Sequence, residues 1–325
     1  MERRKCYFPI VETYLGQGSG GIAYGESCCN RDTFDSLFAV AEDEKFVRKK
    51  FHDKASFDYE DYHVDYLRQT NNRVFEKYFC AKLRSFSVTT TITDRDDTCE
   101  ELRSYYVDME WLSTPQWELL WDILDWRLEE RMVDTCLKAL ISILLELHYK
   151  CNGATYFDVN PCNIFVNKSL LKQRNTVELK LIDYGGLFHP SWMKHSDDSD
   201  DTFLANPYFL PSPGLSRKIP DECQPNMLEL VASSTLPVFY SIVCSVSMII
   251  DMIDRELEDC IFFTTILDGM GKKTDYDEQT KLYSDYQYQS EFIDYLYQHM
   301  DSIRVVAEKK KKKRKMRMKK NNNPL

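Results

Sequence analysis

The chain is expected to fold as an α+β protein, with a strand-rich N-terminal half joined to a helical C-terminal half. Three observations predict this. Near the start, "ETYLGQGSGGIAYGE" is apolar, then glycine-rich, then apolar again, as in two strands joined by a flexible turn. β-Branched and aromatic runs continue to about residue 112, and from about 115 onward apolar residues recur at helical spacing. At 325 residues the chain is long enough to bury a substantial core.

After the glycine-rich pair, "KFVRKKF" alternates as a third strand. Residues 55–80 carry Tyr59, Tyr62, Tyr66, Val74 and Tyr78 at helical spacing, and "SFSVTTTIT" and "SYYVDMEW" read as two further strands. In "ERMVDTCLKALISILLELHYK", Met132, Val133, Cys136, Leu137, Leu140, Ile141, Leu144 and Leu147 make one broad apolar stripe, predicting a deeply packed helix. That helix leads into "YFDVNPCNIF", followed by strand-like "NIFVN" and "VELKLID". A polar stretch at 190–203, the proline cluster "NPYFLPSPG" and more helix to about residue 307 complete the body.

The net charge of −10 conceals two opposite regions. "KKKKKRKMRMKK", 309–320, holds ten of the 42 basic residues, which leaves 32 basic against 52 acidic side chains elsewhere, a net of −20. Such an acidic body repels nucleic-acid phosphates, whereas the tail suits a nuclear-import receptor, nucleic acid or an anionic lipid. Eleven cysteines without a repeated spacing, and no apolar leader at the start, predict free thiols and an intracellular protein of the nucleus and/or cytoplasm. "VASSTLPVFYSIVCSVSMII", 231–250, is uncharged, but its proline and its six serines and threonines predict a buried core helix, so no membrane span is expected.

Several residues have the chemistry of a phosphate-handling site. Gly16, Gly18 and Gly21 form G-x-G-x-x-G between two strands and do not lead into a helix, which favours a hairpin flap over phosphates. Beneath it, Lys49 shares its strand face with Val47, whereas Lys50 shares its face with Arg48, so an apolar pocket wall selects Lys49. Glu76 is the first choice for the carboxylate that holds this lysine, with Glu60 and Asp65 as alternatives. Asp158, Asn163 and Asp183 supply an acid able to hold a hydroxyl proton, then a neutral and a charged oxygen for Mg²⁺.

The series Gly16-x-Gly18-x-x-Gly21, Lys49, "VDMEW", "FDVNPCN" and "DYG" resembles the eukaryotic-type protein kinases, in order over residues 12–245. The resemblance implies a bilobal fold: a small β-rich lobe over 1–112, a larger helical lobe over 113–307, and a basic tail over 308–325. It implies Asp158 as catalytic base, Asn163 and Asp183 as Mg²⁺ ligands, and Lys49 as partner of the ATP α- and β-phosphates. Met109 would face the back of the adenine pocket, and Glu110 and Leu112 would offer it backbone hydrogen bonds. "YFLPSP" would end an activation segment, and "VFYSIVCSVSMII" would be the central helix of the large lobe.

The departures are specific. Tyr156-Phe157 stands where the family has His-Arg before the base, and Asn160 where Ser/Thr kinases carry a lysine. Pro213 replaces the glutamate that ends the activation segment, and Val238 the aspartate of the central helix. With the form "FDVNPCNIFVN", these departures are similar to kinases of large DNA viruses, the herpesvirus group among them. The expectation is an ATP- and Mg²⁺-dependent serine/threonine kinase acting on protein substrates; the alternative is a kinase-fold scaffold with weak or absent transfer.

Overall fold

The computed structural model describes residues 11–17, 21–27, 45–93, 99–112, 116–125, 130–170, 177–189, 235–252 and 262–303. Gly18, the loop "SCCNRDTFDS" beyond Ser27, the proline cluster 206–214 with Pro213, and the basic tail lie outside the described residues. Among those described, the chain is mixed α and β with small antiparallel sheets, in keeping with the α+β expectation.

The largest sheet has five strands: β1 (Val11–Gln17), β2 (Gly21–Ser27), β3 (Lys45–Phe51), β4 (Lys82–Thr93) and β5 (Cys99–Glu110), in the order β1-β2-β3-β5-β4. β3 sits centrally, with Lys49 opposite Ala23 on one side and Val107 on the other. The alternation read from "KFVRKKF" is present, with Lys49 and Phe51 buried on one face.

Between β3 and β4 runs α1 (Lys54–Tyr78), capped by Asp53, whose carboxylate accepts from Ser56 N–H. Its helical geometry breaks at Asn71 (φ −157°, ψ 82°), so it consists of two arms. The second arm is capped in turn, because Asn71 Oδ1 accepts from Val74 N–H at 3.2 Å. The buried positions are Glu60, His63, Val64, Leu67, Val74, Phe75 and Tyr78. Of the residues read at helical spacing, Val74 and Tyr78 are buried, whereas Tyr62 is more than half exposed.

After the sheet, Trp117–Leu119 forms a short strand, β6, where helical pattern was expected; it pairs with β8 (Ile164–Asn167), which pairs with β9 (Leu179–Leu181). α2 (Leu120–Asp125) follows β6, and α3 (Glu130–Lys150) spans the predicted apolar stripe. From its stripe, Val133, Cys136, Leu137, Leu140, Ile141, Leu144 and Leu147 are all at zero exposure, which roughly accounts for 1.5–3 kcal/mol of burial per large side chain. β7 (Thr155–Tyr156) pairs with β10 (Leu187–Phe188). The remaining helices are α4 (Leu236–Met252), α5 (Phe262–Gly269), α6 (Tyr276–Ser284) and α7 (Tyr286–His299). α4 contains most of the uncharged 231–250 segment and packs on α3 and α7; Val238, Phe239, Ile242 and Val243 are wholly buried. Among the described residues, no helix is long and apolar enough to cross a membrane. One core joins the sheet, α1 and the helices.

Candidate active site

Strand register explains how residues far apart in sequence meet. β8 and β9 are antiparallel with Ile164 opposite Leu181, so Asn163 precedes one strand where Asp183 follows the other. The Ile182 N–H donates to Asn163 O at 3.0 Å, which fixes the two side by side. Asp158 is tied to the same place, because Asn163 Nδ2 donates to Asp158 O at 3.4 Å. A 3₁₀ turn, Pro161–Asn163, closes the intervening loop, with Asn160 Oδ1 accepting from Cys162 N–H at 2.9 Å.

A second pairing sets the depth of Asp158. β7 and β10 bring Tyr156 opposite Leu187, and Phe157 N–H donates to Gly186 O at 2.7 Å. A Cβ on Gly186 would lie 2.5 Å from Asp158 Cβ and 2.7 Å from Asp158 N. No side chain fits there, so the second glycine of "DYGG" is what lets the two loops touch. From α4, Ser241 Oγ donates to Tyr156 O, holding the loop from behind. α4 thus supports the loop through a serine, one turn beyond Val238.

Lys49 reaches this cluster from β3. Its ammonium donates to Glu60 Oε1 and, at 3.0 Å, to Asp183 Oδ1. Lys49 and Glu60 are both buried, while the Asp183 side chain is 31% exposed. The choice of Lys49 over Lys50 agrees with this geometry.

The first choice of its partner does not. Glu76 is on the exposed side of the second arm of α1, where its carboxylate accepts from Asn72 Nδ2 at 2.7 Å. Glu60 occupies the position instead, one turn before Val64 and two before Leu67 on the buried stripe. Asp65, the other alternative, pairs with Lys82 at 3.0 Å.

The electrostatics follow from burial and crowding. Burial works against the Lys49 ammonium, but the Asp183 and Glu60 carboxylates outweigh it and hold the lysine above its usual range. Burial pushes Glu60 up against the pull of Lys49. Although desolvation works against it, Asp183 is held below the usual carboxylate range by Lys49 and by the Gly185 N–H that donates to Oδ1 at 2.9 Å. Burial and the neighbouring Asp183 charge push Asp158 up to about 7.

Among the described residues, the buried atoms Asp158 Oδ1, Glu60 Oε2 and Tyr156 OH have no hydrogen-bond partner. Tyr156, which the motif marks only as a departure from the family pattern, has its hydroxyl buried in the field of Asp158, Asp183 and Glu60. Its ring also lies against Gly186, where a Cβ would come within 2.9 Å of Cε2.

Around this cluster, the remaining expected residues are partly placed. Gly16 and Gly21 stand at the facing ends of β1 and β2, with Gly21 opposite Phe51. Met109 is buried opposite Val47, on the strand carrying Lys49. The Glu110 N–H donates to Ala81 O at 2.8 Å, and the Cys80 thiol donates to Glu110 O at 3.0 Å. Of the Glu110 backbone, therefore, only the carbonyl retains capacity for a ligand, while Leu112 follows as a buried residue.

Among the described residues, no group of three His, Cys, Asp or Glu side chains is arranged to hold a metal. The donors suit Mg²⁺ nonetheless, since that ion takes one or two carboxylates and completes its shell with water and phosphate oxygens. Both Asp183 contacts fall on Oδ1, leaving Oδ2, and the Asn163 amide is oriented by its nitrogen so that its oxygen is the remaining donor.

Comparison of the chain with protein-family models gave no match, and comparison with curated proteins gave none.

Proposed function

We propose that the protein is a protein kinase that transfers the γ-phosphate of ATP to serine or threonine hydroxyls of protein substrates, with a bilobal kinase-like fold. The observation that carries this reading is the meeting of Lys49, Glu60 and Asp183 beside Asp158 and Asn163. Phosphoryl transfer asks a protein chiefly for positioning and charge compensation, and each of these groups has a part in that. Lys49, held by Glu60, meets the α- and β-phosphates. Asn163 and Asp183 would hold Mg²⁺, which when bound neutralises charge on the phosphates. Asp158 Oδ1, buried and unpartnered, accepts the proton of the attacking hydroxyl. Gly16 and Gly21, at the facing ends of β1 and β2, would lend backbone N–H groups to the phosphates.

The departures fit this reading in one respect and strain it in another. Phe157, at the position of the family's arginine, packs against Phe188 with ring centroids 5.2 Å apart. An apolar contact thus replaces an electrostatic one, and transfer without phosphorylation of residues 191–203 is the expected behaviour. Asn160, at the lysine position, caps its own turn and brings no cation to the phosphate, which favours slow transfer, or in the second reading a nucleotide-binding scaffold.

The test is γ-phosphate transfer from ATP with Mg²⁺ to a generic basic protein, by wild type and by Asp183→Asn. Labelling by wild type alone supports transfer. Equal labelling by both removes the proposal, and nucleotide binding without labelling selects the scaffold. Nuclear accumulation through the basic tail is a separate proposal, tested by fusing residues 305–325 to a passive reporter; diffuse signal would end it.

A further inference from the structure

β4 and β5 pair with a register shift between Lys82 and Arg84: Lys82 stands opposite Met109 and Arg84 opposite Asp108, so Leu83 is an extra residue. In a regular strand, Lys82 and Arg84 would point to the same face. The bulge sends them to opposite faces instead. Arg84 joins Asp108 and Arg48 on the outer face, while Lys82 turns towards α1. There its ammonium meets Asp61 and, at 3.0 Å, Asp65, one helical turn apart; the Lys82 side chain is only 6% exposed.

The two arms of α1 are anchored to different bodies. The second arm belongs with α3 and β9: Asn71 Nδ2 donates to Lys150 O at 3.3 Å, Lys77 pairs with Glu146 at 3.1 Å, and Lys180 Nζ donates to Glu76 O at 3.3 Å. The first arm, which carries Glu60, is bound to the sheet through Lys49 and Lys82. It is bound to the segment after Asp183 through Tyr59 OH donating to Leu187 O at 2.9 Å and through Tyr66 beside His189 at 3.3 Å. The helical break at Asn71 separates the two sets.

We propose that Lys82 is a positioning residue: turned inward by the Leu83 bulge, it clamps Asp61 and Asp65 so that the first arm of α1 keeps Glu60 on Lys49, with Asn71 as the pivot. Asp61 adjoins Glu60 in sequence, so a rotation that releases Lys82 also withdraws Glu60 from Lys49. The consequence for transfer rests on the kinase reading above; the clamp itself does not.

Amide hydrogen exchange of the full chain without nucleotide tests the clamp in Lys82→Met, Lys82→Arg and the double variant Asp61→Asn/Asp65→Asn. Methionine keeps the length of the side chain and removes its charge. Lys82→Met and the double variant are expected to exchange about tenfold faster through residues 54–70, with residues 72–78 unchanged, while Lys82→Arg stays near wild type. Unchanged exchange at 54–70 in both charge-removing variants overturns the proposal. So does an equal acceleration throughout the chain, which would make Lys82 a general stability residue. If Lys82→Met does not fold, the double variant decides. In phosphate transfer, Lys82→Met should lose about tenfold in kcat/KM for ATP, and Lys82→Arg should recover it. A wild type that transfers no phosphate removes the kinase reading and leaves the exchange result to decide the clamp.

Discussion

Adjacent residues of β3, Arg48 and Lys49, belong to two charge clusters on opposite faces of one sheet. On the outer face, Asp108 is 1% exposed and receives a two-point contact from Arg48, with Nε to Oδ1 at 2.8 Å and Nη2 to Oδ2 at 3.0 Å, plus a third from Arg84. Two cations surround one acid, and both carboxylate oxygens are satisfied. On the inner face, Lys49 faces Glu60 and Asp183, with Asp158 beside them, and among the described residues one buried oxygen each of Glu60 and Asp158 has no partner. The outer cluster is complete in itself. The inner one has three carboxylates to one ammonium and open acceptors, which the proposed cation and substrate hydroxyl would complete.

If that contrast is right, the two clusters respond oppositely to substitution. Asp183→Asn should reduce phosphate transfer by about three orders of magnitude or more in a radiolabel assay, with little change in thermal midpoint. Asp108→Ala should behave in the reverse sense. It removes the buried carboxylate that both arginines contact, and urea unfolding should show a loss of about 3 kcal/mol while nucleotide affinity is retained in the folded protein. A stability loss from Asp183→Asn as large as that from Asp108→Ala would erase the distinction.

Glu60→Gln should lower kcat/KM by about ten- to a hundredfold, and Glu76→Gln should leave it unchanged. The reverse order would restore the assignment drawn from the sequence.

How that assignment failed shows where sequence reasoning reached its limit. The order of strands and helices was legible because period-two and period-3.6 patterns are local, and "ERMVDTCLKALISILLELHYK" matches α3 residue for residue. The meeting of Asp158, Asn163, Asp183 and Lys49 was legible because each sits in a short motif. The tyrosine spacing of α1 gave the helix but not its buried face, because tyrosines have apolar rings but hydroxyls that seek the surface, so several of them flank the stripe. The signal for Glu60 was present: a carboxylate in register with Val64 and Leu67 occupies a core position and therefore needs a cation. β6, β7 and β10 were invisible, being two or three residues long and defined only by their partners. The Leu83 bulge also depends on register, which one strand does not encode alone.

The smallest expected effect concerns pH. With the Asp158 carboxyl pushed up to about 7 by burial and the Asp183 charge, the folded protein holds its proton more tightly than the unfolded chain. This group therefore favours folding at low pH, and that contribution is lost as pH rises from near 4 through about 7. Asp158→Asn should accordingly raise stability by about 1 kcal/mol at pH 8 and have little effect at pH 4, as read by thermal unfolding at both values. Wild-type transfer should fall as pH drops below about 7, where Asp158 becomes protonated.

The central claim is that the inner cluster is completed by a metal-bound triphosphate contacted by Lys49 and not by its neighbour. Calorimetric titration with ATP and Mg²⁺ of wild type, Lys49→Met and Lys50→Met tests it most directly. The account predicts saturable binding by wild type and Lys50→Met, and affinity at least about tenfold weaker in Lys49→Met. Equal affinity in all three proteins, or no binding by wild type, would contradict it.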